Sequence, residues 1–398
     1  MNNLTSADSI SAVFMESEEF RDSPLCPLFT LCSIYAGDAI SSDDLSGEKA
    51  IPVYGSNGIR SYADKANHLE NQVLVGRQGS VGTVHFAEAP FWAAEHALIV
   101  EPRTPRVSKS WLKYVLEAMD LSRLSRAVAQ PGINATSVSF QRVPHIPFEQ
   151  QKVIGDYLDR ETAEIDAAVA DLDKYVELLE KRKRATGLAI LEQARHEPTT
   201  LMVHLGSLGL FVSGSGFPHR YQGVEGEEFP FYKVGSLSTA DEDGIIQDSR
   251  HSVSREVAEE LGAKIIPTGS VLMAKIGEAM RLCRFVVTAT DCCIDNNMMA
   301  IIPRQDSITS DYLRLALELV TVDVLVNPGP VPSLNVQGLR MFSIPLPSVG
   351  VQERMTTEWN KETDRLDSLI AESTRLRDLL LKRRSVLITE VVTGRKQV

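Results

Sequence analysis

Residues 149–194 read EQQKVIGDYLDRETAEIDAAVADLDKYVELLEKRKRATGLAILEQA. Apolar side chains fall at Ile154, Leu158, Ile165, Val169, Leu172, Val176, Leu179 and Ile190. Gaps of three and four, and their sums, line one stripe of a helix. No proline interrupts the stretch, and Pro144 and Pro147 stand just before it. At ~1.5 Å per residue the helix is about 65–70 Å long. That exceeds an ordinary core helix, so the stripe needs a partner helix.

Residues 352–393 supply one: QERMTTEWNKETDRLDSLIAESTRLRDLLLKRRSVLITEVVT. Shifted by 201 positions, Gln151 meets Gln352, Glu161-Thr162 meets Glu362-Thr363, Asp166 meets Asp367 and Leu178-Leu179 meets Leu379-Leu380. The stripe carries over, with Met355, Trp359, Leu366, Ile370 and Leu380 on the second copy. Two antiparallel helices packed on each other satisfy both stripes better than two separate surface helices.

The chain has 398 residues, 43% apolar and 24% charged, with a net charge of −12. The length suggests two or more domains. No run of 18 apolar residues occurs, so no transmembrane helix is expected. The acidic start, MNNLTSADSISAVFMESEEF, lacks the basic and apolar regions of a signal peptide, which points to the cytoplasm. Five cysteines, an odd number with no CxxC, indicate buried thiols rather than disulfides or zinc. The net negative charge argues against a generic nucleic-acid binder. Any DNA contact would come from a few placed groups or be helped by a partner.

Outward from the helices, the chain divides into a leader over 1–24, a β-rich domain over 25–148, a helix over 149–197, a second domain over 198–350 and a second helix over 351–398. Strands are expected at Leu28–Ile34, Ile51–Tyr54, Val73–Val75, Val81–Phe86 and Ala97–Val100, and a helix at Ser108–Leu121. The second half repeats these landmarks in order. Phe229-Pro230-Phe231-Tyr232 echoes Ile51-Pro52-Val53-Tyr54, and VLMAKIG from Val271 echoes VLVGRQG from Val73. Pro328-Gly329 echoes Pro131-Gly132. The fold class is therefore α+β, a tandem duplication of a β-rich domain followed by a long helix.

Enzyme motifs are missing. There is no GxxxxGK[ST], no Asn-Pro-Pro-aromatic run, no HExxH and no nucleophile elbow. Gly214-Ser215-Gly216 reads as a turn, and Asp171-Leu172-Asp173-Lys174 as a solvated helix face. The loops Tyr54–Tyr62 (YGSNGIRSY) and Gly76–Gly82 (GRQGSVG) combine backbone N–H groups, amides and guanidinium groups. Such groups suit phosphates and base edges, although plain hairpin turns carry the same residues.

IPVYGSNGI, VLVGRQGSVG, PFWAAEHALIV and the run EQQKVIGDYLDRETAEID resemble the specificity subunit of type I restriction–modification systems. The resemblance extends over nearly the whole chain. It implies two target recognition domains, each reading one half of a split DNA site, and an antiparallel coiled coil that spaces them. It implies no catalytic centre and no cofactor in this chain. S-adenosylmethionine, Mg2+ and ATP would sit on partners, namely two modification subunits that methylate adenine and, in restriction, nuclease–translocase subunits. The expected DNA contacts are Ser56, Asn57, Arg60, Arg77, Gln78 and Ser80, then Lys233, Ser236, Lys275, Arg281 and Arg284. The expected helix packing uses Ile154, Leu158, Ile165, Val169, Leu172, Leu179, Met355, Trp359, Leu366, Ile370 and Leu380. The second half departs from the pattern, with Val351-Gln352 where the first has Glu149-Gln150-Gln151 nearby, and YKVGS where the first has YGSNG. A tandem protein-interaction adaptor without DNA recognition is the rival reading.

Overall fold

The computed structural model describes residues 25–45, 51–125, 132–241, 244–247, 249–277, 279–280, 284–318, 320, 325–327 and 332–398. The leader, Arg281, Pro131 and Pro328-Gly329 lie outside the described residues. Two compact units form, residues 1–172 with 376–398 and residues 173–375. Each long helix, Phe148–His196 and Val349–Val392, therefore gives one half to each unit.

In the first unit the strands are β1 (Leu25–Pro27), β2 (Cys32–Ala36), β3 (Ile51–Gly55), β4 (Gly58–Ala63), β5 (Gln72–Gly76), β6 (Val84–Ala87), β7 (Trp92–Ala93), β8 (Ala97–Pro102) and β9 (Arg142–Pro144). A four-stranded antiparallel sheet has the order β2-β8-β5-β6, and a three-stranded sheet the order β4-β3-β7, with β3 and β7 parallel. The apolar run of β5 fits its central place, and all five of its residues are buried. The helix Lys109–Ala118 buries Trp111, Leu112, Tyr114, Val115 and Leu116. Ser108 caps it by accepting from Trp111 N at 3.3 Å.

The expected strand Leu28–Ile34 is instead a one-turn helix, Leu28–Leu31, followed by β2. Leu28 and Cys32 are both fully buried, and the i,i+4 spacing of a helical turn brings them to one side. The expected strand Val81–Phe86 begins only at Val84. Gly82 delays it, with a φ of +81°.

The second unit contains β10 (Leu201–His204), β11 (Gly209–Ser213), β12 (Phe229–Tyr232), β13 (Ile245–Ile246), β14 (Ser252–Val253), β15 (Val271–Ala274), β16 (Val286–Thr288), β17 (Cys293–Ile294), β18 (Met298–Pro303), β19 (Val326–Asn327), β20 (Ser333–Leu334) and β21 (Ser343–Leu346). Its main sheet runs β11-β18-β15-β16-β13 and its smaller sheet β14-β12-β17. The order matches the first unit, with β13 added at the edge beside β16. β12 and β17 pair in parallel as β3 and β7 do. The pair β10–β21 matches β1–β9, and the one-turn helix recurs at Leu205–Leu208. The fold is α+β with a duplicated topology.

Each unit holds an antiparallel pair of helix halves. In the first, Ile154, Leu158 and Ile165 are buried with Leu387, Ile388, Val391 and Val392, and Val169 and Leu380 pack partly buried against them. Lys396 lies over the Tyr157 ring, 5.3 Å from its centroid, and Arg384 pairs with Asp166 at 2.8 Å. In the second, Met355 and Trp359 are buried with Ile190 and Ala194. Leu179 and Leu366 are also buried and border one hollow, and Ile370 is half-buried; Leu172, the last residue of the first unit's share of its helix, is half-buried too. Lys183 meets Asp367 at 2.8 Å, and Arg354 meets Glu197 at 2.5 Å. In each unit one index rises as the other falls, as an antiparallel pair requires. Among the described residues no helix is long and apolar enough to cross a membrane.

Candidate nucleic-acid interface

In the first unit the hairpin of β3 and β4 pairs Gly55 with Gly58 and turns through Ser56 and Asn57. The glycine loop 76–82 lies beside this tip, and the Ser56 and Thr83 hydroxyls tie the two together. Ser56 Oγ donates to His96 O at 2.7 Å and accepts from Gln78 N at 3.2 Å. The Thr83 hydroxyl reaches both Ser56 O and, at 2.9 Å, Ser80 O. Gly76 permits the approach, since a Cβ there would stand 2.3 Å from Ser80 O and 2.5 Å from Ser56 O.

The result is an open groove of about 490 Å3 bordered by Asn57, Ile59, Arg60, Gln78, Gly79 and His96, among others. Asn57, Arg60 and Gln78 are exposed. Arg60 lies 3.7 Å from Glu95, which also faces His96 at 3.4 Å. An ion pair this open contributes little to stability. Ser56 also borders the groove, but it is buried, and its hydroxyl is engaged by His96 O and Gln78 N. Ser80 is half-buried, and its carbonyl serves Thr83.

Arg77 stands at a backbone crossing. Its N–H donates to His96 O at 2.8 Å, and its carbonyl accepts from Ile133 N at 3.0 Å. Lys275 repeats this in the second unit, donating to Asn297 O at 2.7 Å and accepting from Leu334 N at 2.8 Å. Arg77 and Lys275 thus each sit on a backbone pinned from both sides. The Arg77 guanidinium reaches Glu95 O at 3.5 Å, and Lys275 Nζ reaches Ser213 Oγ at 3.4 Å, both at the limit of a hydrogen bond.

The rest of the second unit is built differently. Where the first has the β3–β4 hairpin, a 3-10 helix Val234–Thr239 follows β12. Ser236 Oγ accepts from Lys233 N at 3.2 Å, so Ser236 is committed to capping that turn. Lys233 Nζ donates to Gln222 Oε1 at 3.1 Å. Nearby Asp295 is buried, which raises its carboxyl above the usual range, while the Asn297 N–H and Lys233 pull it back down. Arg284 is exposed. It borders a hollow of about 590 Å3 with Lys181, Lys183, Arg184, Glu318 and Trp359. The structure thus gathers Asn57, Arg60 and Gln78 in one groove, matches Arg77 to Lys275, and places Arg284 beside Met273 and Ala274. Ile59, Glu95 and His96 were not among the expected contacts. Glu95 and His96 stand in the PFWAAEHALIV motif, which was the available signal.

Residues 28–171 match the family model described as the type I restriction modification DNA specificity domain. The type I restriction enzyme EcoprrI specificity subunit of Escherichia coli is 32% identical over 130 residues, 31% of this chain and 32% of that relative. The match thus spans about a third of the relative's length. A solved structure titled for complex assembly and conformational transition of the type I R-M system aligns over 93% of this chain and 97% of its own, at 14% identity and a TM-score of 0.56. The type I restriction–modification S subunit from M. genitalium aligns over 92% of this chain and 95% of its own, at 16% identity and a TM-score of 0.44. The chain carries, over residues 28–171, a member of the type I restriction modification DNA specificity domain family.

Proposed function

We propose that the chain is a type I specificity subunit, a DNA-reading scaffold without a catalytic centre of its own. Each unit reads one half of a split DNA site. Two modification subunits, carrying S-adenosylmethionine, methylate adenine in the two halves, and restriction subunits using ATP and Mg2+ complete the system where they are present. The long helices set the length of the unread spacer. The observation that carries this reading is the repeated backbone crossing that fixes Arg77 in one unit and Lys275 in the other. A pinned backbone presents a cation without a large loss of loop entropy on binding. With a net charge of −12 the chain alone binds DNA weakly, and the modification subunits add basic surface.

The test is co-expression with the modification subunits, followed by mapping of methylated adenines. A split motif with two constant halves is expected. Methylation at unsplit sites, or none from an assembled complex, would overturn the reading. The purified chain given S-adenosylmethionine, Mg2+, ATP and DNA should neither methylate nor cut.

A further inference from the structure

The groove of the first unit is bordered by hydrogen-bonding groups, with one large apolar exception. Ile59 is 50% exposed and sits on β4 opposite Tyr54. A lone exposed isoleucine needs no function. This one shares its open space with Asn57, Gln78, Arg60 and His96. Among the described residues the side-chain amides of Asn57 and Gln78 have no partner, so each offers a donor and an acceptor. Arg60 faces the Glu95 carboxylate at 3.7 Å.

In the DNA major groove, adenine presents N7 and the N6 amino group, which match an amide held edge-on. Its partner thymine presents the C5 methyl, which an aliphatic side chain can cover. A G·C pair has no methyl, and guanine is matched best by an uncommitted guanidinium or ammonium. Amides beside a branched aliphatic side chain therefore fit an A·T pair. We propose that Ile59 is a specificity-determining residue that reads a thymine methyl, while Asn57 or Gln78 bonds adenine. This inference rests on the DNA-reading role proposed above.

The experiment uses the chain assembled with its modification subunits and duplexes bearing its mapped site. Each thymidine of both half-sites is replaced in turn by 2′-deoxyuridine, which removes only the methyl. Wild type should bind one of these duplexes about fourfold more weakly, as the loss of one buried methyl implies. The Ile59→Ala complex should bind that duplex and its parent equally, and Ile59→Val should keep the discrimination. Unchanged reading of the other half-site reports that the variants assemble. Specific binding that is indifferent to every replacement, or full discrimination by Ile59→Ala, overturns the role of Ile59 alone. Absence of any sequence-specific binding by wild type overturns the DNA-reading role and this inference with it.

Discussion

Arg384 Nε lies 2.8 Å from Asp166 Oδ1 in an ion pair, and the same guanidinium reaches Glu117 at 3.4 Å. The three residues come from the second long helix, the first long helix and the helix Lys109–Ala118. In the second unit Lys183 meets Asp367 at 2.8 Å, and Lys183 is among the charges acting on half-buried Glu318. A shift of 201 converts Glu117 to Glu318, Asp166 to Asp367 and Lys183 to Arg384. The duplication therefore extends to the charges, and each unit borrows its cation from the other repeat's helix.

Arg384→Ala should destabilise the first unit by about 2–3 kcal/mol, because it leaves Glu117 and Asp166 facing each other unpaired. The figure is below the range for fully buried pairs because the Arg384 and Glu117 side chains are 19% and 21% exposed. Arg384→Lys should cost under ~1 kcal/mol, since lysine fills the equivalent place in the second unit. Urea denaturation checks both, and equal midpoints for wild type and Arg384→Ala would refute the assignment.

Glu117 also carries a pH dependence. Burial raises its carboxyl above the ordinary range, and Arg384 and Lys113 pull it partly back. A raised acid binds its proton more tightly folded than unfolded. Its contribution is fully present below the unfolded value of about 4.3 and is lost as pH rises through the folded value. Glu117→Gln removes that loss. The stability of the variant relative to wild type should therefore rise between about pH 4 and pH 7. A flat difference in urea midpoints would show that the group is not shifted.

Gln151 and Gln352 perform one task in two places. Gln151 accepts from Ser108 N at 2.9 Å and donates to Ile146 O at 3.0 Å. Gln352 accepts from Thr309 N at 2.9 Å and donates to Ser307 O and Pro347 O, both at 2.9 Å. Each is buried and ties the start of a long helix to the start of a short one. Gln151→Ala should cost about 2–4 kcal/mol through the partners it leaves unpaired, and Gln352→Ala somewhat more. Thermal unfolding of the two variants measures the order.

The helices were legible because an apolar period of 3.6 survives in any sequence that buries one helical face. Gln151 and Gln352 were visible as a matched pair, but their bonds to Ser108 and Thr309 were not. The exchange of helix halves was hidden too, since a stripe names a buried face and not the chain that covers it. The site was legible only in outline. The glycine loops marked where backbones crowd, yet serine in a turn looks the same whether it faces solvent or, like Ser56, ties two loops together. The pairing of Arg60 with Glu95 was hidden because the two lie 35 residues apart in the chain.

Gly76→Ala tests the coupling of the two loops. Its Cβ would press on the backbone oxygens of Ser80 and Ser56, and backbone gives way far less easily than a side chain end. The hairpin tip and the glycine loop must separate. Methylation mapping should show the first unit's half-site degraded and the other half-site intact. Unaltered reading of both halves would mean that the groove does not depend on the contact.

Arg77→Ala and Lys275→Ala should have parallel consequences, each for its own half-site. The backbone crossings are held by main-chain bonds, so neither substitution should unfold its loop. If the cation neutralises a phosphate, the assembled complex binds all DNA sequences more weakly and the slope of log affinity against log salt falls by about one. If it reads a base edge, the variant loses about 1–3 kcal/mol at its site and accepts other bases at one position. Arg77 offers a planar fork suited to guanine, whereas Lys275 offers a point charge. Arg77→Lys should therefore relax one position if Arg77 reads a base, and should leave specificity unchanged if it holds a phosphate. Affinity measured at several salt concentrations, with wild type and the three variants, separates the two roles. Unchanged affinity and unchanged specificity in both alanine variants would remove Arg77 and Lys275 from the interface.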